Sequence, residues 1–148
     1  MKIVEVFAQD GEISHSVWLQ RAESVHRQLR PQLPADYLAK MTRVLQSARM
    51  ALAVKEDVVL GLAVFRIHEN TFDGLKFYID DLVTDESHRS QGVGHALLKY
   101  LEVVARKLSA SGLVLDSGTQ RTQAHKFYFR EGFVIPAFNF KKIFYETN

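Results

Sequence analysis

Cysteine is missing from the 148 residues, which excludes disulfide frameworks, thiolate zinc sites, iron–sulfur clusters and cysteine nucleophiles. A reducing compartment is thereby permitted, and the cytoplasm is the expected location. Apolar runs are short: none approaches the ~20 residues of a spanning helix. Residues 1–10 have neither a long apolar run nor a small-residue cleavage site, so neither a membrane crossing nor a leader is expected. Excess charge is scarce too, nineteen Lys and Arg standing against seventeen Asp and Glu for a formal net charge of +2. That balance is too small and too dispersed for a chain whose main partner is nucleic acid. The six histidines fall at no metal-ligand spacing and no H-E-x-x-H occurs, so no metal site is expected.

What is present suffices for one core. With 47% hydrophobic and 24% charged residues, residues 1–148 read as one soluble globular domain. Residues 2–7 read as a strand running into the turn-like Gln9, Asp10 and Gly11. Helical spacing follows at Trp18, Leu19, Ala22, Val25 and Leu29, and again at Tyr37, Leu38, Met41, Val44, Leu45 and Ala48, with Pro31 and Pro34 separating the two helices. Residues 51–54 and 58–67 are apolar runs joined by Lys55, Glu56 and Asp57, the pattern of an antiparallel hairpin. A solvated turn over 69–74 leads into a strand over 75–84, LKFYIDDLVT. The helix after Gly92 has its apolar residues at Val93, Leu97, Leu101, Val104, Ala105 and Leu108. A strand over 113–116, a helix over 122–131 stopped by Gly132, and two strands over 133–135 and 139–145 around Pro136 close the chain. The order β, α, α, β, β, β, α, β, α, β, β, without internal repeat, predicts an α/β domain: one mixed sheet flanked by helices.

Between the Asp80-containing strand and the Val93 helix lies a polar turn, His88, Arg89, Ser90, Gln91, Gly92, Val93, Gly94. Its glycines let the backbone curl so that several N–H groups converge, and the helix adds its positive end. Together these suit a pyrophosphate without a metal, and Arg89 can add a charge-assisted contact. The turn is not a Walker loop, because no Gly-Lys-Ser/Thr follows. The dinucleotide fingerprint fails because Leu97 stands where the third glycine belongs. A tight strand-to-helix turn without a ligand is the other reading of two glycines so spaced.

Arg89, Gly92 and Gly94 match the pattern R/Q-x-x-G-x-G/A, and the stretch resembles motif A of the GNAT superfamily of N-acetyltransferases. The preceding YIDDLVT is similar to the fourth strand of those enzymes. The two-helix N-terminal segment, the hairpin, the strand-loop-helix core and the AHKFYFREGF segment also fall in the family's order. The resemblance implies the GNAT fold, acetyl-CoA as the acyl source with coenzyme A as product, and an amine acceptor that is a small molecule or a protein.

By matching positions, backbone groups of Leu82, Val83 and Thr84 would bind the pantetheine arm and thioester. Arg89 and the amides of Ser90, Gln91, Gly92, Val93, Gly94 and His95 would hold the pyrophosphate. An N–H at Leu82 aimed at the thioester carbonyl would stabilise the oxyanion as the amine attacks. The family places a proton donor for the departing thiolate in an A-x-x-F-Y-x-x-x-G-F context, which here is Tyr128. A tyrosine of reference pKa ~10 can donate to a sulfur of pKa ~8.5; its other role is packing on Phe127 and Phe133.

An amine of reference pKa ~10.4 needs a base or a desolvating site, and Asp80 and Asp81 are the candidates. Adjacent strand residues face opposite ways unless the strand bulges. By resemblance Asp80 aligns with a catalytic Glu of amine-acetylating relatives, one methylene longer, so a water-relayed contact is an alternative to a direct one. Asp116 can add a third carboxylate, and three would favour a cationic acceptor such as a polyamine, aminoglycoside or lysine side chain. His125 shares a helical face with Tyr128. Arg121 stands where many relatives carry an Asn, and residues 27–37 border the family's acceptor site.

The expected activity is direct acetyl transfer to a primary amine in a ternary complex. Two alternatives stand beside it: a non-catalytic acyl-CoA-binding regulatory module, and an unrelated nucleotide-binding domain. Phe138, Phe140, Phe144 and Tyr145 supply either a homodimer interface or a core.

Overall fold

Helices and strands form where the apolar spacing directs them through most of the chain. In the computed structural model, which describes residues 1–6 and 12–145 and the side chains of all of these except 12–14, the order is β1 (Lys2–Val6), α1 (Glu12–Leu29), α2 (Tyr37–Val44), β2 (Arg49–Lys55), β3 (Val58–Asn70) and β4 (Gly74–Thr84). A 3-10 turn (Glu86–His88), α3 (Val93–Lys107), β5 (Leu113–Leu115) and α4 (Thr122–Arg130) follow. The turn expected at Gln9, Asp10 and Gly11, with Phe7 before it, lies outside the described residues. Backbone contacts group the chain into two units, Met1–Leu115 and Asp116–Asn148.

The first unit is built on a five-stranded sheet in the order β1-β2-β3-β4-β5. Its pairs are antiparallel except the last, β4 with β5, which is parallel. Side-chain alternation divides the core in two. Met50, Leu52, Val54, Leu62 and Val64 cluster with Leu19, Ala22 and Val25 of α1 and with Tyr37 and Met41 of α2. On the opposite face, Gly61 meets Val93 and Leu97 of α3. A Cβ on Gly61 would lie 2.7 Å from Val93 Cγ1 and 2.8 Å from the Val83 carbonyl oxygen, so only glycine lets the start of α3 settle onto the sheet there.

The helix ends follow ordinary capping chemistry. Asp36 caps α2, its carboxylate accepting the Ala39 N–H at 3.0 Å, one of the first-turn donors that lack an intrahelical partner. Arg27 donates to the carbonyls of Leu33 and Pro34, both at 2.7 Å, and so ties the α1–α2 connection back to α1. Among the described residues no helix is long and apolar enough to cross a membrane.

In the second unit, α4 ends on Gly132 in the left-handed region at φ +93. The Phe133 N–H donates to the Tyr128 carbonyl at 3.0 Å and the Gly132 N–H to that of Phe129 at 3.1 Å, the two bonds of a Schellman motif. The hydrophobic contact that accompanies such motifs is Tyr128 against Phe133, ring centroids 5.6 Å apart.

The two closing strands expected over 133–135 and 139–145 are not formed. Residues 133–145 carry no strand, and Val134, Ile135, Phe138, Phe140, Ile143, Phe144 and Tyr145 are all exposed. Strand-forming side chains supply propensity, but a strand is stabilised by its cross-strand neighbours. No described strand pairs with this segment.

Candidate functional site

The site begins with an irregularity in β4. The β3–β4 register passes from Val64↔Asp81 directly to Phe65↔Ile79, so Asp80 is an extra residue in a β-bulge. Tyr78 opposes Arg66 and Asp81 opposes Val64. Residues opposite one another share a face, so the bulge turns both Asp80 and Asp81 towards α1 and α2, which strict alternation would forbid.

Both carboxylates line one pocket of about 270 Å³, enclosed by His26 of α1, Arg30, Leu33 and Pro34 of the connection after it, Lys40, Met41 and Val44 of α2, and Val64 and Arg66 of β3. Asp81 is held from two sides. His26 Nε2 lies 2.7 Å from its Oδ2 and Arg30 Nε donates to its Oδ1 at 2.8 Å. Arg30 also donates to the Asp80 carbonyl at 3.0 Å. Asp80 accepts from Arg66 Nε at 2.5 Å, and Arg66 in turn donates to Ser47 Oγ at 2.8 Å.

Burial pushes the Asp81 pKa up, but hydrogen bonding and charge from His26, with Arg30 beside it, outweigh burial and hold it below its ordinary value. His26 is 2% exposed, and its Nδ1 lies 2.8 Å from the Tyr37 hydroxyl. Nε2 donates to the Asp81 carboxylate, and Nδ1 pairs with the Tyr37 hydroxyl, so both ring nitrogens are engaged. Burial first, then the charges of Glu23 and Asp81, raises the Tyr37 pKa well above its usual range, so this phenol stays protonated.

Beyond the bulge β4 has an open edge. Its pairing with β5 stops at Ile79↔Leu115, while the pairing with β3 continues to Thr84↔Gly61. The Asp85 N–H donates to the Leu60 carbonyl at 2.8 Å, which points Asp85 at β3. Backbone direction alternates along an antiparallel strand, so Val83 also faces β3. The N–H and C=O groups of Leu82 and Thr84 face the open edge.

The strand then leads to the glycine turn. Ser90 (φ 62) and Gly92 (φ 79) both adopt left-handed backbone. Gly92 is the N-cap of α3 and no side chain caps it. The described backbone bond at this end is Ala96 N–H to Gly92 O at 3.0 Å, which leaves the amides of Gly92, Val93 and Gly94 without an acceptor among the described hydrogen bonds. Arg89 and Gln91 are exposed. Uncapped amides at the positive end of a helix of 15 residues are of the kind that suits a diphosphate, the group expected there by resemblance.

In the second unit, Tyr128 is half-buried beside Phe127 and Phe133. Burial raises its pKa above 10.0, with Arg121 pulling weakly the other way, and its hydroxyl bonds to no described residue. His125 is a local staple, Nε2 lying 2.8 Å from the Gly118 carbonyl oxygen. Asp116 accepts from Asn139 Nδ2 at 2.6 Å.

Sequence reading missed His26, Lys40 and Arg66, and reached Arg30 only as part of residues 27–37, without naming it. The signal was present for two of them: His26 and Arg30, one turn apart, extend the inward stripe of Leu19 and Ala22, where apolar residues are the rule. Arg66 continues the Leu62–Val64 face into the pocket. Among the described residues no cluster of His, Asp and Glu suits a metal ion.

Comparison with known proteins bears on this arrangement. Residues 15–133 match the Acetyltransferase (GNAT) family. The uncharacterized N-acetyltransferase YhdJ of Bacillus subtilis is 34% identical over 123 residues, 78% of this chain and 84% of that protein. The aminoalkylphosphonate N-acetyltransferase of Salmonella typhimurium is 33% identical over 95 residues, 62% of this chain and 60% of its own length. Among solved structures, the aminoglycoside N-acetyltransferase AAC(6')-Iy in complex with CoA superposes with a TM-score of 0.76 at 20% identity, covering 99% of this chain and 93% of that one. A ribosomal-protein-alanine N-acetyltransferase from Brucella melitensis superposes at 0.77 and 18% identity, covering 97% and 100%. With its sheet, its loop and the greater part of its length matched, the chain belongs to the GNAT family of acetyltransferases.

Proposed function

We propose that the protein transfers an acetyl group from acetyl-CoA to the primary amine of a small molecule, by direct attack in a ternary complex. One observation carries the reading: the paired carboxylates at Asp80 and Asp81, the open edge at Leu82 and Thr84, and the uncapped amides of Gly92, Val93 and Gly94 follow one another along β4 and into α3. The names of two similar proteins specify amino compounds as acceptors, an aminoalkylphosphonate and an aminoglycoside. The family match runs across the boundary between the two units, which supports reading residues 1–148 as one functional domain.

Bound acetyl-CoA supplies an activated acyl carbon and a thiolate leaving group. Arg89 and the amides of Ser90, Gln91, Gly92, Val93, Gly94 and His95 hold the diphosphate, and Val83 keeps the strand in register while Leu82 and Thr84 meet the amide arm. The Leu82 N–H receives the negative charge that develops on the carbonyl oxygen. Asp80, directly or through a water, takes the proton from the attacking nitrogen. Asp81, engaged by His26 and Arg30, positions the pocket and does not act as the base. As the carbon–nitrogen bond forms and the carbon–sulfur bond breaks, the Tyr128 hydroxyl gives its proton to sulfur.

The test is amine-dependent release of free thiol from acetyl-CoA across polyamines, aminoglycosides, amino acids and peptides, with the acceptor-free rate subtracted. Coenzyme A binding without release by any amine would support the regulatory module instead. Displacement of coenzyme A by ATP would support the unrelated nucleotide-binding domain. The partner of the exposed run Phe138, Phe140, Phe144 and Tyr145 is read as a second copy of the chain.

A further inference from the structure

The charges lining the pocket define more of the acceptor than its amine. Three cations, Arg30, Lys40 and Arg66, face two carboxylates, Asp80 and Asp81, so the lining carries a net positive charge of at least one, whichever form His26 takes. Both carboxylates are already committed. Asp81 is paired with Arg30 at 2.8 Å and Asp80 with Arg66 at 2.5 Å. Lys40 is different: no described carboxylate pairs with its ammonium group. It stands on α2 one turn beyond the N-cap Asp36, whose carboxylate is occupied by the Ala39 N–H.

We propose that the acceptor carries an acidic group as well as its amine, and that Lys40, flanked by Arg30 and Arg66, receives that group. The inference rests on the acetyl-transfer reading and narrows it. A neutral amine joined to a carboxylate has charge −1, and one joined to a phosphate ester about −1.5 to −2; either opposes the sign of the lining. A polyamine would bring a second ammonium to a pocket whose carboxylates already face cations and whose unpaired charge is itself positive. Between the charged ends lie Leu33, Pro34, Met41, Val44 and Val64, an apolar wall suited to a short hydrocarbon spacer. At about 270 Å³ the pocket sits just below the ~300 Å³ lower end of ordinary ligand sites, which suits a small amino acid or amino phosphate ester. Lysine is the apt residue here, because a mobile point charge meets a carboxylate or a phosphate without demanding a fixed bidentate geometry.

Acceptors matched in length provide the experiment. β-Alanine (a carboxylate) and O-phosphoethanolamine (a phosphate ester) are compared with propylamine and 1,3-diaminopropane, using thiol release from acetyl-CoA. At least one acid-bearing acceptor is expected to exceed both acid-free amines at least tenfold in kcat/KM, and the better of the two acids identifies the anion. Lys40→Met should shrink that ratio at least fivefold, mainly through KM, and Lys40→Arg should restore part of it. Calorimetric titration of the two acids into protein saturated with coenzyme A gives a readout without turnover, with affinity expected to fall at least tenfold in Lys40→Met. Equal or better use of the acid-free amines, or a ratio unmoved by Lys40→Met, overturns the inference while acetyl transfer stands. No turnover with any amine overturns the acetyl-transfer reading instead, and failure of both acids to bind in the titration then overturns the acidic-group inference as well.

Discussion

Asp81 and Tyr128 are both shielded side chains, but the surroundings drive them in opposite directions. Asp81 has a side chain 13% exposed and depends on His26 and Arg30 to remain charged. Asp81→Asn removes the charge that both answer, and loss of one member of a buried pair costs about 3 kcal/mol, measurable by urea unfolding. The sign of the pH dependence follows from the lowered pKa. The unfolded carboxylate takes up protons near its ordinary 3.8, so this contribution is complete above that value and is lost as the pH falls through the lower, folded one. Tyr128 behaves conversely. Burial raises its pKa above 10.0, so the hydroxyl keeps its proton through neutral pH, and its share of stability erodes only once the unfolded tyrosine begins to ionise near pH 10. Because that hydroxyl has no described partner, Tyr128→Phe should leave the unfolding midpoint nearly unchanged. It should lower kcat by about 10²-fold if it serves as proton donor. A Phe variant of undiminished kcat would reassign Tyr128 to packing alone.

At the level of elements, two glycines frame the loop for different reasons, and alanine separates them. Gly92 has φ +79 and open space around it, so Gly92→Ala meets only backbone strain of about 1–2 kcal/mol. Gly92→Asn should recover part of this, since Asn tolerates the left-handed region. Gly61 has an ordinary φ but no room, and Gly61→Ala must lift the start of α3 off β3, an overpacking cost of about 1–3 kcal/mol. Both alanines should weaken coenzyme A binding in calorimetric titration, and Asn should help at position 92 only. The contrast also explains what the sequence could convey. Gly92 was legible because two glycines between a strand and a helix have few other uses, whereas Gly61 hides in an apolar strand and reveals its purpose only through Val93. The strands, the helices and the strand-loop-helix core follow from local periodicity and stand as expected through α4. The bulge at Asp80 depends on the register with β3, which no local pattern encodes, and the sequence offered it only as a condition. Lys40 and Arg66 were invisible because solvated and pocket-lining cations look alike until the fold gathers them.

For the molecule as a whole, the unresolved balance lies in the apolar surface of its last residues. Phe138, Phe140, Phe144 and Tyr145 are 84%, 93%, 88% and 82% exposed, and an aromatic side chain buries ~150–250 Å² when covered. Four of them amount to roughly 600–1,000 Å², above the ~300–600 Å² of a typical monomer's largest patch and close to the ~800 Å² that each partner contributes to a standard interface. The sheet of the first unit has an edge of its own. β5 has β4 on one side and no described strand on the other, and an open sheet edge accepts an added strand. Phe138, Phe140 and Phe144 share one face of an extended chain with Lys142, and Asn139, Lys141, Ile143 and Tyr145 share the other. Two copies that exchange these segments satisfy both edges at once, which is the self-complementary condition for a closed two-fold dimer. Sedimentation at micromolar concentration is therefore expected to give a dimer. Replacing Phe140 and Phe144 by Ser together should weaken its Kd at least 100-fold while the circular dichroism of the sheet persists. A wild-type chain that stays monomeric at 100-fold higher concentration than the assay, roughly the span of two decades in Kd or ~2.7 kcal/mol, would show instead that these aromatics are covered by something other than a second copy.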